Sequence, residues 1–226
     1  PSELQPMFVA VQVEMLQKLE CGAPLQTTEL HAWGLAESVA GKKIEDLMQL
    51  QDPTVAILMG KKGVTARVTS SDDVLAEEIA SEIASRWEPF YYGCGNETLT
   101  TTVGTLLEGR GTLSTAESCT AGLLSDAMVQ TSGASSWFRG GWVTYSNELK
   151  ISQLGVSEEL LSAEGAVSWK VASAMCDGAV AQSNTTCSLS VTGIAGPNGG
   201  TKEKPVGTVF VGCSVEGKTQ VREFYF

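Results

Sequence analysis

The stretch Thr112-Leu-Ser-Thr-Ala-Glu-Ser-Cys-Thr-Ala-Gly-Leu-Leu-Ser-Asp126 decides how the second half of the chain is built. Thr112 to Ala116 is a short β-rich run. The small residues Ser118, Cys119 and Thr120 follow, and the chain is expected to become helical from about Ala121. Strand, tight turn and helix put a side chain at a helix N-terminus, where unpaired N–H groups and the helix dipole favour an anion. Ser118 therefore reads in two ways. It is a helix cap, or it is a nucleophile whose attack is stabilised by helix-start N–H groups. Cys119 is buried filler or a rival nucleophile that lacks a histidine to activate it. GxSxG is absent, so the α/β-hydrolase elbow is not supported.

Upstream of this stretch, residues 97–108 read as a helix closed by Gly109-Arg-Gly111. Downstream, strand-like Phe138–Ser146 is followed by helices from Asn147, Ser157 and Ser168. Thr186–Thr192 is a buried-type strand, and Gly193–Gly200 a glycine-rich loop. A hairpin about Glu216-Gly-Lys218 ends the pattern. Helices interleaved with strands, plus a closing hairpin, predict an α/β fold: a layered domain over residues 93–226, its mixed sheet flanked by helices.

Residues 1–92 read as a separate piece. A helix over residues 2–20 precedes strand-like Leu25–Ala32, a helix over Glu37–Leu50, a hairpin about Gly60-Lys-Lys-Gly63, and a helix from Asp72 to Trp87 capped by Ser71 or Asp72. This is a small α+β module of order β-α-β-β-α. Glu88–Asn96 reads as a linker. Gly60–Gly63 has the letters of the GxxG loop of RNA-binding KH domains, but that loop joins two helices and this one joins two strands. The module carries 7 Lys+Arg against 14 Asp+Glu, a net of −7, which favours a plain hairpin.

The chain's net charge of −11 argues against non-specific binding to nucleic acid or anionic membrane. There is no transmembrane-length apolar run and no signal-peptide pattern. The six cysteines form no CxxC pair, which fits free, mostly buried thiols and a cytoplasmic or other reducing compartment. The opening at Pro1 and the stop inside a β-like run suggest a fragment, so a lost targeting sequence stays open. His31 is the only histidine. A triad in the second half would have to borrow it, and a multi-histidine metal centre is impossible.

Two further places carry chemistry. In Tyr145-Ser-Asn-Glu-Leu-Lys150 a strand gives way to a helix, so Tyr145 and Lys150 can project from one sheet edge. A desolvated lysine, or a tyrosine polarised by it, can replace histidine as the base; the plain alternative is a packing tyrosine and a solvated lysine paired with Glu148. In Thr192–Thr201, successive N–H groups of a glycine-rich loop can face a phosphate, with Lys202, Lys204 and Arg139 as available cations. No GxGxxG or Walker pattern is present.

Ala116-Glu-Ser-Cys-Thr-Ala-Gly122, Phe138-Arg-Gly-Gly141, Tyr145–Lys150, Gly165-Ala-Val-Ser168 and Ser190–Gly200 with Lys204-Pro-Val-Gly-Thr208 occur in one order. That order strongly resembles the C-terminal domain of the CinA (competence/damage-inducible) family over about residues 93–226. Pro1–Trp87 resembles the family's middle module. The resemblance implies an amidohydrolase that converts nicotinamide mononucleotide to nicotinate mononucleotide and ammonia without cofactor or metal. It implies Ser118 as nucleophile, with Tyr145 and Lys150 activating it and handling the leaving-group proton. Thr120, Arg139, Thr192, Gly193, Ala195, Gly196 and Lys204 are the expected substrate contacts, and a homodimer is implied. Ala121 stands where a glycine is common. The family's upstream domain, with its ADP-ribose pyrophosphatase activity, is not represented. The alternative is a non-catalytic nucleotide-binding or assembly fragment.

Overall fold

The computed structural model describes residues 6–9, 11, 12, 15 and 25–226. Of the helix expected over residues 2–20, the described residues are helical and exposed; the others lie outside the described residues. The chain forms two compact units, Pro1–Thr98 and Leu99–Phe226. Among the described residues no helix is long and apolar enough to cross a membrane.

The first unit holds β1 (Gln26–Ala32), α1 (Glu37–Lys43), β2 (Thr54–Gly60), β3 (Gly63–Ser70), α2 (Asp73–Trp87) and β4 (Tyr91–Cys94). Its sheet is antiparallel, in the order β2-β3-β1-β4. Leu30, Val64, Ala66 and Val68 from the sheet pack on Ala76, Ala80, Ile83 and Trp87 of α2. Asp72 caps α2, accepting from the N–H groups of Val74 and Leu75 at 3.0 and 3.1 Å. The lysine pair forms a β2–β3 hairpin with Gly60 opposite Gly63.

Two expectations need correction here. The helix over Glu37–Leu50 stops at Lys43, because Ile44 leaves helical geometry (φ −126°, ψ 20°) and is buried. A single 3-10 turn at Leu47–Gln49 follows. The expected linker contains a strand: Tyr91, Gly93 and Cys94 pair with Ala32, His31 and Leu30. The open edge of β1 needs hydrogen-bond partners, and the β-prone tyrosines supply them.

The second unit holds α3 (Leu99–Leu107), β5 (Leu113–Glu117), α4 (Leu123–Val129), β6 (Phe138–Val143), α5 (Asn147–Leu154), α6 (Glu158–Glu164), α7 (Trp169–Ser183), β7 (Cys187–Gly193), β8 (Thr208–Val215) and β9 (Lys218–Tyr225). The sheet order is β6-β5-β7-β8-β9. β6, β5 and β7 run parallel and β8 and β9 antiparallel, so the sheet is mixed. Glu216 and Gly217 both have positive φ (49° and 78°), the geometry of a two-residue hairpin turn.

β5 is buried along its whole length and alternates between two cores. Leu113 packs with Met128, Ala134 and Trp137 on one side. Ala116 packs with Leu154, Val156, Val171, Met175 and Ala179 on the other. α7 lies close against the sheet because its neighbours there are small. Ser188 and Ser190 donate to the carbonyls of Cys176 and Ala172 at 2.9 and 2.6 Å. A Cβ on Gly178 would stand 2.0 Å from the Leu154 carbonyl oxygen, so only glycine lets α7 pass α5 at this distance.

The five described cysteines are free, yet only Cys176 is fully buried. The expectation of mostly buried thiols fails because Cys213 sits on the outward face of β8 and Cys94 ends the short β4.

Candidate active site

The parallel strands β5, β6 and β7 all end at one edge of the second sheet. The chain leaves β5 through a tight turn in which Ala121 (φ 50°) and Gly122 (φ 107°) are both left-handed. That pair delays α4 to Leu123, two residues later than expected. Ala121 thus occupies a backbone conformation that suits glycine better.

Strand alternation sends consecutive side chains to opposite faces. Glu117 turns toward α4 and Ser118 toward α5. Lys150, on α5, is 1% exposed and Ser118 is 8% exposed. Lys150 Nζ donates to Ser118 Oγ at 3.1 Å, to the Thr144 carbonyl at 2.8 Å and to the Tyr145 carbonyl at 3.3 Å. None of these acceptors is a carboxylate. Burial drives the lysine pKa below its ordinary value, and Cys119 and Glu148 oppose this only in part. The solvated ion pair with Glu148 is therefore not what this lysine makes.

Glu117, fully buried, accepts from the N–H groups of Gly122 (2.9 Å), Leu124 (3.0 Å) and Ser125 (2.8 Å), and from the Ser125 hydroxyl (2.7 Å). Burial alone would raise its pKa; these hydrogen bonds overcome that and hold it below the ordinary carboxylate value. The helix-start N–H groups expected to serve as oxyanion donors are thus already taken. The donors left in the turn are the N–H groups of Cys119 and Thr120, which meet no backbone carbonyl among the described residues. Both lean toward the Cys119 thiol, whose pKa burial nevertheless raises. A protonated thiol is a poor nucleophile, which favours Ser118.

Ser118, Cys119, Tyr145 and Lys150 line a cavity of about 320 Å³ together with Ala166, Val167, Thr192–Gly196, Asn198 and Gly199. Tyr145 is 72% exposed at its rim, and its hydroxyl bonds to neither Ser118 nor Lys150. Thr192 spends its hydroxyl on the Ala166 carbonyl at 2.8 Å, pinning the opposite wall. Gly193 is required by close packing, since a Cβ would lie 2.7 Å from Val209 Cγ2 and 2.9 Å from the Thr208 carbonyl oxygen. Ala195 and Gly196 complete that wall.

Three expected side-chain contacts do not reach the cavity. Arg139 lies near the start of β6, at the opposite end of the sheet. Lys204 donates to the Glu164 carbonyl at 2.9 Å and so ties down the end of α6. Thr120 Oγ1 is buried on the Glu117 side, where it helps hold the carboxylate's charge without hydrogen-bond geometry. His31 is buried in the first unit, its ring nitrogens engaged by Thr65 Oγ1 (3.0 Å) and the Gly95 carbonyl (2.8 Å). From sequence Glu117 could cap the helix, orient the site or pair with Lys150; the structure shows it bound to the start of α4 and not to Lys150, a choice set by which way the strand faces.

A two-unit α/β protein with a buried serine–lysine pair at the mouth of a parallel strand is the class that fold and site define. The chain belongs to the CinA family: residues 96–226 match its C-terminal domain, and residues 27–93 match the damage-inducible protein CinA KH domain. A CinA-like protein of Kosmotoga olearia is 41% identical over 99% of this chain and 56% of its own length. A CinA-like protein of Nostoc punctiforme is 40% identical, over 95% and 53% respectively. The chain thus spans about half the length of the curated relatives it matches. Among solved structures, a competence-damaged protein (CinA) superfamily protein from Escherichia coli is 34% identical. It aligns with a TM-score of 0.56, covering 57% of this chain and 76% of that one. A competence/damage inducible protein from Agrobacterium tumefaciens is 38% identical with a TM-score of 0.54, covering 56% and 77%.

Proposed function

We propose that the second unit deamidates nicotinamide mononucleotide to nicotinate mononucleotide and ammonia, with Ser118 as nucleophile and Lys150 as its base. The observation that carries this reading is the 3.1 Å contact between a buried, carboxylate-free Lys150 amine and Ser118 Oγ. The substrate is the one implied by the family's motifs.

In its neutral form the Lys150 amine stops donating to Ser118 and takes the Ser118 proton as Oγ attacks the carboxamide carbon. The resulting oxyanion meets the N–H groups of Cys119 and Thr120. The lysine ammonium then passes its proton to the departing nitrogen, which leaves as ammonia. Water, deprotonated by the same amine, attacks the Ser118 ester; the carbon–Oγ bond breaks, the ammonium returns its proton to Oγ, and the acid ionises to the carboxylate. Side chains and backbone supply every step, without a metal. Tyr145, at the rim with its hydroxyl unbonded among the described residues, meets the bound substrate. The N–H groups of Ala195, Gly196, Asn198 and Gly199 have no acceptor among the described residues and take the phosphate.

Ammonia release from nicotinamide mononucleotide, compared with its riboside and dinucleotide relatives, tests the proposal. Preference for the mononucleotide supports it, and binding without turnover contradicts it. The homodimer belongs to the same proposal; a monomer mass by light scattering would contradict it.

A further inference from the structure

A buried carboxylate directly beside the nucleophile calls for a partner, because burying an unpaired charge is costly. The nearby buried cation is Lys150, yet Glu117 does not pair with it. Its four donors all come from the start of α4. That helix has a left-handed glycine, Gly122, at its N-cap and no side-chain cap of its own there. Glu117 does the capping from across the turn.

The same turn is fixed at its other points. The Ser118 N–H donates to the Val191 carbonyl at 2.9 Å, and the Thr144 N–H donates to the Glu117 carbonyl at 2.8 Å. The Ala121 N–H closes back on the Ser118 carbonyl at 3.2 Å. Thr144 also accepts from Lys150 through its own carbonyl, so serine and lysine hang from one strand-end framework.

We propose that Glu117 is a positioning residue. By binding the start of α4 it fixes the turn that carries Ser118 and the Cys119 and Thr120 N–H donors, and it leaves Lys150 without a counter-ion. The proposal rests on the reading of Ser118 as nucleophile. A glutamine has one acceptor oxygen and one NH₂ group, so Glu117→Gln must set an NH₂ against at least one of the N–H groups that the second carboxylate oxygen now accepts.

The test uses two readouts on wild type and Glu117→Gln: ammonia release from nicotinamide mononucleotide, and the rate at which a fluorophosphonate labels Ser118, followed by mass spectrometry. In labelling, Oγ forms a bond to phosphorus, fluoride leaves and the serine proton passes to Lys150, so this arm does not depend on the substrate assignment. We expect kcat and the labelling rate to fall together by roughly 10- to 100-fold, the scale of a displaced nucleophile or oxyanion donor. KM and the midpoint of the acidic limb of kcat stay at their wild-type values. Unchanged labelling in a folded variant overturns the proposal, as does a shifted limb, which would mean that Glu117 acts on the charge of Lys150. Wild-type labelling without ammonia release overturns only the substrate reading, and the labelling comparison then decides for Glu117. No wild-type labelling overturns the reading of Ser118 as nucleophile and the Glu117 proposal with it. If Glu117→Gln does not fold, Ser125→Ala removes one donor to Glu117, and a severalfold loss of labelling is expected; an unchanged rate overturns the proposal.

Discussion

Replacing Lys150 with methionine separates chemistry from packing. Methionine is similar in length and apolar, so it fills the buried channel of the lysine stem without a cavity. The amine's three acceptors lose their donor: Ser118 Oγ and the carbonyls of Thr144 and Tyr145. Each buried acceptor left unsatisfied costs about 1–3 kcal/mol, offset by removing a desolvated amine. The net change in stability is therefore expected to be small, within about 2 kcal/mol. On the proposed mechanism activity falls much further, because Tyr145, the alternative base at the cavity rim, makes no hydrogen bond to Ser118. General-base removal costs roughly 10²- to 10⁴-fold. The assay pairs urea unfolding with ammonia release from nicotinamide mononucleotide. A folded variant that turns over within about tenfold of wild type refutes the reasoning and makes Lys150 a packing residue.

Four other outcomes follow from the structure. The Lys150 amine works when neutral and its pKa lies below 10.5, so kcat/KM should rise with pH along a limb whose midpoint is below that value. The unfolded chain binds that proton more readily, so stability rises with pH between the folded pKa and 10.5, and Lys150→Met should lack this rise. Ala121→Gly should stabilise the second unit by about 1 kcal/mol in urea titrations, since alanine is disfavoured at φ 50°. His31→Gln should cost about 1–3 kcal/mol of stability through its buried hydrogen bond to Thr65 and its half-buried one to the Gly95 carbonyl, while kcat stays at the wild-type value.

The alternation and caps that build the second unit were largely legible. Ser157 and Ser168 cap the helices they were expected to start, and the strand before Ser118 runs where the β-rich run predicted; Ser146, read as the end of a strand, instead caps α5 because β6 stops at Val143. What escaped were effects that need a third dimension. Tyr91–Cys94 looked like a linker because its strand character exists only against the edge of β1. Arg139 and Lys204 looked like phosphate ligands because sequence shows charge but not direction; one lies at the far end of β6, and the other is bound to the Glu164 carbonyl. The serine–lysine pairing was legible as a possibility because His31 is the only histidine. Its geometry was not, since the residues are 32 apart and meet only when β5 and α5 end at one edge.

The most direct measurement is ammonia released from nicotinamide mononucleotide by the purified chain and by its Ser118→Ala variant, with folding of both checked by circular dichroism. Stoichiometric ammonia and nicotinate mononucleotide from the wild type, and none above background from a folded Ser118→Ala, is the predicted result. Turnover that persists in Ser118→Ala would contradict the assignment of the nucleophile.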